Sequence, residues 1–291
     1  MPISLTTRAV AVGLLTLMAT LLRGQDRAAL PRDSVSIPSA DAPCTRTVTP
    51  EGNLQQQLRR ASAGMVICLV PGATYAPIVL PQRGDTGWVV LRTGAPDSAF
   101  ARAGVRVRPS AAASLARFVQ ANDRAAISTQ PAAAGWRLIG LDVTTSVLSY
   151  AIVALGAGNA PQNTLEVVPH DIILDRLWIH GSSNLTVRRC VALNSARTAI
   201  INSWIEDCHE KGADSQAILG WNGPGPFRIE NNALAGAGEN VMFGGADAAI
   251  PGMIPSDITI TRNHVFTPLE WKGRWSKKNI LELKSASRTP A

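Results

Sequence analysis

From Trp136 onward one phrase returns at a near-constant interval: a short apolar run, an Asn or Asp with a polar companion, then a second short apolar run. It reads Ile173-Leu174-Asp175-Arg176-Leu177-Trp178-Ile179, then Ile200-Ile201-Asn202-Ser203-Trp204-Ile205. Two further copies are Ile229-Glu230-Asn231-Asn232-Ala233-Leu234 and Ile260-Thr261-Arg262-Asn263-His264-Val265. The leading isoleucines at 173, 200, 229 and 260 stand 27, 29 and 31 residues apart. A period of this size marks a chain that stacks one supersecondary unit on the next. Between the copies lies a second set of short runs, at 151–155, 185–187, 216–219, 239–243 and 278–283. Each period thus offers two or three short strands separated by turns rich in Gly, Asn and Asp.

No segment in this half carries the i, i+3, i+4 spacing of a long amphipathic helix, and no Leu-rich consensus is present. The reading is an all-β solenoid, a parallel β-helix, in which coils stack at the ~4.8 Å strand spacing. The column Asp175, Asn202, Asn231 then falls at a sharp bend, where Asn and Asp tolerate a left-handed backbone and bond neighbouring amides. These three are expected to form a turn ladder and are not catalytic candidates. Trp178 and Trp204 occupy matching positions and are expected to stack in the core. A solenoid grows linearly, so 44–291 is one elongated domain of about eight coils.

The first residues are an address. Arg8 precedes an uncharged apolar stretch, 9–22, followed by Arg23 and Gly24. That is the length of a signal peptide and short for a membrane span of ~20 residues. Residues 1–24 are therefore expected to be removed on export, with an uncleaved anchor as the alternative. The stretch 25–43, with Pro31, Pro38 and Pro43 and no periodicity, reads as a flexible linker. Export makes the four cysteines candidates for two bridges, with three possible connectivities. The local pairing is Cys44 with Cys68 and Cys190 with Cys208; buried thiols are the alternative. The expected location is secreted, periplasmic or at the cell surface.

At the start of the domain, 50–61 supplies an Asn N-cap with Leu54 and Leu58 on one helical face, a short cap for the open end of the first coil. Here the succession Gly52-Asn53-Leu54-Gln55, Gly64, Ile67-Cys68-Leu69, Pro71-Gly72-Ala73-Thr74-Tyr75 and Val79-Leu80-Pro81 resembles the opening of secreted right-handed β-helix proteins of the pectate-lyase-like superfamily. The blocks 212–227 and 238–247 resemble a subgroup of exported bacterial β-helix proteins. The resemblance spans roughly 44–287 and implies a right-handed parallel β-helix. Characterised pectate lyases carry a W-I-D-H phrase and a later R-x-P-x-x-R phrase. Here Leu177-Trp178-Ile179-His180-Gly181 lacks the Asp and no R-x-P-x-x-R occurs, so their calcium-dependent site is not carried over, and the fold alone does not define a function.

The densest polar cluster is Glu206-Asp207-Cys208-His209-Glu210-Lys211-Gly212-Ala213-Asp214, a turn entering the run at 216–219. Stacking places Glu239 and Asp247, then Glu282 and Lys284, along the same edge, which predicts a polysaccharide groove. For a lyase, Lys211, His209 or Lys284 would take a proton alpha to a uronate carboxylate, while Asp214, Glu239 and Asp247 hold Ca2+ through oxygen ligands. For a hydrolase, Glu210, Asp214 and Glu239 are the candidate carboxylates. Seven of the fourteen aromatic residues are Trp, and Trp221, Trp271 and Trp275, the last two flanking Arg274, are expected to stack sugars and bind their acid groups. The net charge of +7 falls to +5 without Arg8 and Arg23. No Lys/Arg run reaches five, so an acidic glycan is the expected partner and nucleic acid is not.

The function expected is an exported protein acting on or binding acidic polysaccharide, by β-elimination, by hydrolysis, or by binding alone. After leader cleavage no stable membrane span is expected, and the protein is read as a monomer. Residues 278–285 begin a coil whose companion phrase does not follow, which leaves an open edge and predicts either a truncated C-terminus or a return strand from another chain.

Overall fold

The computed structural model describes residues 30–287. The leader at 1–24 lies outside the described residues, as do 25–29 and 288–291. The described chain winds through three parallel sheets of eight, seven and seven strands. One coil shows the pattern: His170–Asp175 lies in sheet 1, Trp178–His180 in sheet 2 and Arg189–Leu193 in sheet 3. The next coil lays Ala196–Ile201, Trp204–Cys208 and Gln216–Gly220 on them in parallel. The architecture is the expected right-handed parallel β-helix. Among the described residues no helix is long and apolar enough to cross a membrane.

Inside the coils one continuous apolar core runs from Val48 to Ile258. The short helix Leu54–Arg59 closes its first end, burying Leu54 and Leu58, and Asn53 caps it by accepting from the Gln56 amide. The Gln55 side chain also acts as a strand substitute. Its amide donates to the Val79 carbonyl at 2.7 Å and accepts from the Val79 amide at 2.8 Å. The free edge of the first sheet 3 strand, Ile78–Leu80, is thereby satisfied at that point.

Register corrects the repeat by one residue. Leu174, not Ile173, stacks on Ile200, Ile229 and Ile260. Side chains alternate along a strand, so Ile172 and Leu174 enter the core while Ile173 packs on the outside with Val35, Ala199 and Ile201. The left-handed bend falls on Gly140, Arg176, Asn202, Asn231 and Arg262, all at φ between 53° and 64°. Asp175 ends its strand one residue earlier. The expected side-chain ladder still forms: Asn202 donates to Asp175 at 2.9 Å and Asn231 to Asn202 at 2.8 Å. A second ladder lies one residue further on. The Asn232 side chain accepts from the Ser203 amide and donates to the Ile200 carbonyl, and the Asn263 side chain repeats the pattern one coil along.

Two other strand assignments shift. The sheet 3 strand of the central coil is Arg189–Leu193 rather than 185–187, because Val191 and Leu193 are the residues that align with Val153 and Leu155 in the core. Trp178 and Trp204 do stack in register, but outside sheet 2, and their indoles donate to the two oxygens of Glu206 at 3.0 and 2.7 Å. A ring with a polar edge is better placed there than in a core without acceptors.

Both disulfides form in the local pairing, Cys44 with Cys68 and Cys190 with Cys208, and no cysteine is free. The stretch 30–43 has no helix or strand and runs over the outer face of sheet 1. Val35 is buried there, and Arg137 and Arg228 donate to the Pro38 and Val35 carbonyls. Leu281–Leu283 pairs with Glu239–Phe243 as the last strand of sheet 3.

Candidate functional site

Sheet 3 carries the chemistry. Arg189, Gln216 and Glu239 begin successive strands and stand in register. The Gln216 amide donates to Glu239 Oε2 at 2.7 Å. The chain at 267–278 crosses the turn at 209–214, held by the Ser276 amide on the Glu210 carbonyl and by the Gly212 amide on Ser276 Oγ. This crossing delivers Lys278, whose amide bonds the Gly238 carbonyl at 3.1 Å. The Lys278 ammonium then lies 2.9 Å from Asp214, 3.4 Å from Glu239 Oε1 and 4.0 Å from Glu282 Oε2. Lys284 approaches Glu282 Oε1 at 3.6 Å.

Three carboxylates and two ammonium groups thus meet at one edge. Glu239 is fully buried. Burial raises its carboxyl above the ordinary carboxylate range, helped by the hydrogen bond to Glu282 and by the Asp214 charge, against Gln216 and Lys278. Glu282 is shifted down, first by the same hydrogen bond and then by Lys284 and Lys278. The ammonium of Lys278 is held protonated by Asp214 and Glu239. Glu239 and Glu282 thus both face the Lys278 ammonium, and only Glu282 reaches the surface.

Of the residues expected here, Asp214, Glu239 and Lys284 converge, and Glu282 joins them. The others go elsewhere. Lys211 is exposed and makes no ion pair with the cluster. Glu210 faces Arg188 at 3.9 Å. His209 is fully buried, with its ring stacked on Trp275 at 3.9 Å and edge-on to Trp271 at 5.1 Å, and neither ring nitrogen has a hydrogen-bond partner. A base sealed under two indoles cannot meet a substrate, which removes His209 from the catalytic set.

Trp271 is only 3% exposed, packed on Ala235 and Ala237. Arg274 is spent on the Ser183 carbonyl and Asn184. Trp271 and Trp275 thus cover His209, with Arg274 over the Trp275 ring, and do not form an open sugar platform. Their apolar surface is better used in contact with each other and with sheet 2 than in water. Asp247 lies exposed in the loop after Glu239–Phe243 and makes no contact with the cluster.

The donor set does not suit calcium. Asp214 and Glu239 share the Lys278 ammonium, which occupies the place a cation between them would take, and Asp247 is absent from the set. Among the described residues no group of three or more His, Cys, Asp or Glu is arranged to hold a metal ion.

Lys278 and Arg189 escape a sequence reading because neither sits in a recognisable motif. The available signal was alignment of strand starts: Lys278 precedes its strand at the edge where Asp214 precedes Gln216–Gly220. A cavity of about 420 Å³ lies between 37–41 and sheet 1. Its Arg137, Arg176, Asp97 and Asp175 are interlocked ion pairs, which accounts for their burial without a ligand.

No family model matches the chain, and no curated protein matches it. Among solved structures, an alginate lyase from Paenibacillus sp. str. FPU-7 is similar over 82% of this chain and 76% of that one, at 15% identity and a TM-score of 0.42. Escherichia coli YbhC is similar over 90% of this chain and 88% of that one, at 11% identity and a TM-score of 0.39. At these values neither likeness extends to an activity or a ligand, and the fold stands on the three parallel sheets themselves.

Proposed function

We propose that the protein is an exported β-helix protein that binds an acidic polysaccharide along sheet 3 and cleaves it at the Glu239/Glu282 pair. The observation that carries this reading is the gathering of Asp214, Glu239 and Glu282 around the Lys278 ammonium at 2.9, 3.4 and 4.0 Å, with the Glu239 carboxyl pushed up by burial and that of Glu282 pushed down. Lys278 and Lys284 beside them supply positive charge for a sugar carboxylate. The two disulfides fit an oxidising compartment outside the cytosol.

In β-elimination, ionised Glu282 takes the proton alpha to the sugar carboxylate. The glycosidic carbon–oxygen bond breaks as the ring double bond forms, and the same proton passes to the departing oxygen. Lys278 and Lys284 beside it favour the ionised form of Glu282. Hydrolysis at the same pair, with Asp214 as the further carboxylate, would consume water and leave saturated ends.

A second reading is favoured by one observation. Glu239 is fully buried, and both lysines already have carboxylate partners. In that case the pair holds the coil together and the surface binds glycan without cutting it.

The test is incubation of the disulfide-intact protein with a panel of acidic polysaccharides, read for unsaturated ends and for new reducing ends. Elimination gives both, and Glu282→Gln lowers the rate about tenfold or more. Reducing ends alone select hydrolysis. Binding with neither product leaves the second reading standing and ends the catalytic one.

A further inference from the structure

Leu281–Leu283 is the outermost strand of sheet 3, and among the described residues no strand pairs with its outer edge. The strand lies parallel to Glu239–Phe243, with Leu281 beside Val241 and Leu283 beside Phe243. Val241 and Phe243 face the core. Both leucines therefore point inward at the open end of the coils, where they remain 38% and 44% exposed. Ile260 and Val265 end the same core on sheets 1 and 2 and are only partly covered. Ser287 bridges Ser256 and begins to overlay sheet 1, while the sheet 3 edge stays bare.

The backbone at this edge is open too. The Ile280 carbonyl accepts from the amides of Asn240 and Val241, and the Lys284 amide donates to the Phe243 carbonyl. Peptide groups alternate sides along a strand, so those of Leu281 and Leu283 point away from the sheet. Natural edges of this kind are usually blocked by proline, a bulge or an inward-pointing charge. Here the inward positions are leucines, and the charges of Glu282 and Lys284 lie on the outer face, 3.6 Å apart.

The order Leu281-Glu282-Leu283-Lys284 complements itself when reversed. Laid antiparallel on a second copy and centred on Leu283, it sets the two Leu283 side chains against each other and each Glu282 against Lys284 of the other copy. Leu283 then falls at a hydrogen-bonded pair, which uses its free peptide groups. Glu282 and Lys284 fall at non-hydrogen-bonded pairs, where facing side chains stand closest and opposite charges attract. Centring on Glu282 would set like charges against each other. The first end of the solenoid is closed by the helix Leu54–Arg59 and the Gln55 side chain, so head-to-tail growth finds no second surface and association stops at two copies.

We propose that two copies of this chain join end to end across a two-fold axis, through antiparallel pairing of their Leu281–Leu283 strands, so that their third sheets become one. The interface covers the apolar end formed by Ile260, Val265, Leu281 and Leu283. It also brings Lys284 of the second copy up to Glu282, so the cluster at this edge gains a cation from outside its own chain. The proposal stands independently of the glycan reading.

The experiment is light scattering after size exclusion, on the disulfide-intact chain at rising concentration. The mass expected is that of two chains. Glu282→Lys and Lys284→Glu each set like charges against each other on both sides of the axis, and each alone should weaken the dimer about tenfold or more. Mixed in equal amounts, the two variants again set opposite charges against each other and should recover the mass of two chains. Leu283→Asp, at a position already exposed in the single chain, should abolish the dimer with an unchanged far-ultraviolet circular dichroism spectrum, which keeps the test valid if the charge variants do not fold. A monomer at the highest concentration, an open-ended series of larger assemblies, a complex with a different protein in place of the second copy, a mixture of folded charge variants that stays monomeric, or a dimer that survives Leu283→Asp overturns the proposal.

Discussion

Glu239 and Glu282 come from strands adjacent in sheet 3 and both face the Lys278 ammonium, at 3.4 and 4.0 Å. Burial selects Glu239 for the proton, and the two lysines select Glu282 for the charge. The consequence is a definite pH dependence. A raised carboxyl contributes stability that is complete below the ordinary carboxylate range and is lost as pH rises through its raised value; the lowered Glu282 works in the opposite sense. Glu239→Gln fixes the neutral form. The unfolding midpoint of the wild type is expected to fall relative to this variant as pH rises from the ordinary carboxylate range through the raised value of Glu239. Parallel curves across that range in denaturant titrations would show that Glu239 titrates normally.

The inner asparagine ladder is a second point of test. Asn232 is fully buried and makes hydrogen bonds to the Ser203 amide, the Ile200 carbonyl and Asn263. Asn232→Ala leaves these backbone groups without partners in a dry bend and should cost about 2–4 kcal/mol in chemical denaturation. A loss below about 0.5 kcal/mol, ordinary for a surface change, would mean that water replaces the side chain.

Reduction of the disulfides should be costly in proportion to the loops they close. Cys190 and Cys208 are 18 residues apart and Cys44 and Cys68 are 24 apart, so each bridge is expected to contribute about 3 kcal/mol. Thermal melts with and without reductant, and of the Cys190→Ala/Cys208→Ala double variant, measure it. An unchanged midpoint in the variant would show that packing alone closes the coil.

Trp271 separates a lid from a sugar platform. Its burial over His209 predicts a loss of about 3–5 kcal/mol on Trp271→Ala, with no change in glycan affinity for the fraction that folds. Reduced affinity at unchanged stability would return Trp271 to the binding surface.

The repeat was legible because core residues must recur wherever coils stack, and Leu174, Ile200, Ile229 and Ile260 do so. Its register was not, because Ile172, Ile173 and Leu174 are equally apolar. Only the docking of Val35 on the outer face explains why the middle one points outward. The same limit applies at the site. Asp214, Glu239, Glu282 and Lys284 could be placed on one edge by counting coils. His209 and the Trp271/Trp275 pair share that stretch of sequence, yet they pack into a lid, because an indole and an imidazole lose less by facing each other than by facing water.

The solenoid and its capping helix were legible from the residues alone, since both depend on neighbours along the chain or on periodicity, whereas the disulfide pairing was one of three connectivities and the bend lay one residue beyond Asp175, at Arg176. The tertiary structure decided which charges meet. Lys278 reaches Asp214 and Glu239 only through the crossing of 267–278 over 209–214, and Arg189 loses water only because Tyr150 and Trp221 close on it from other coils. Shifted carboxyls and buried charge arise from such long-range placement, since Coulomb energy and desolvation depend on distance and dielectric, which residue order alone does not specify.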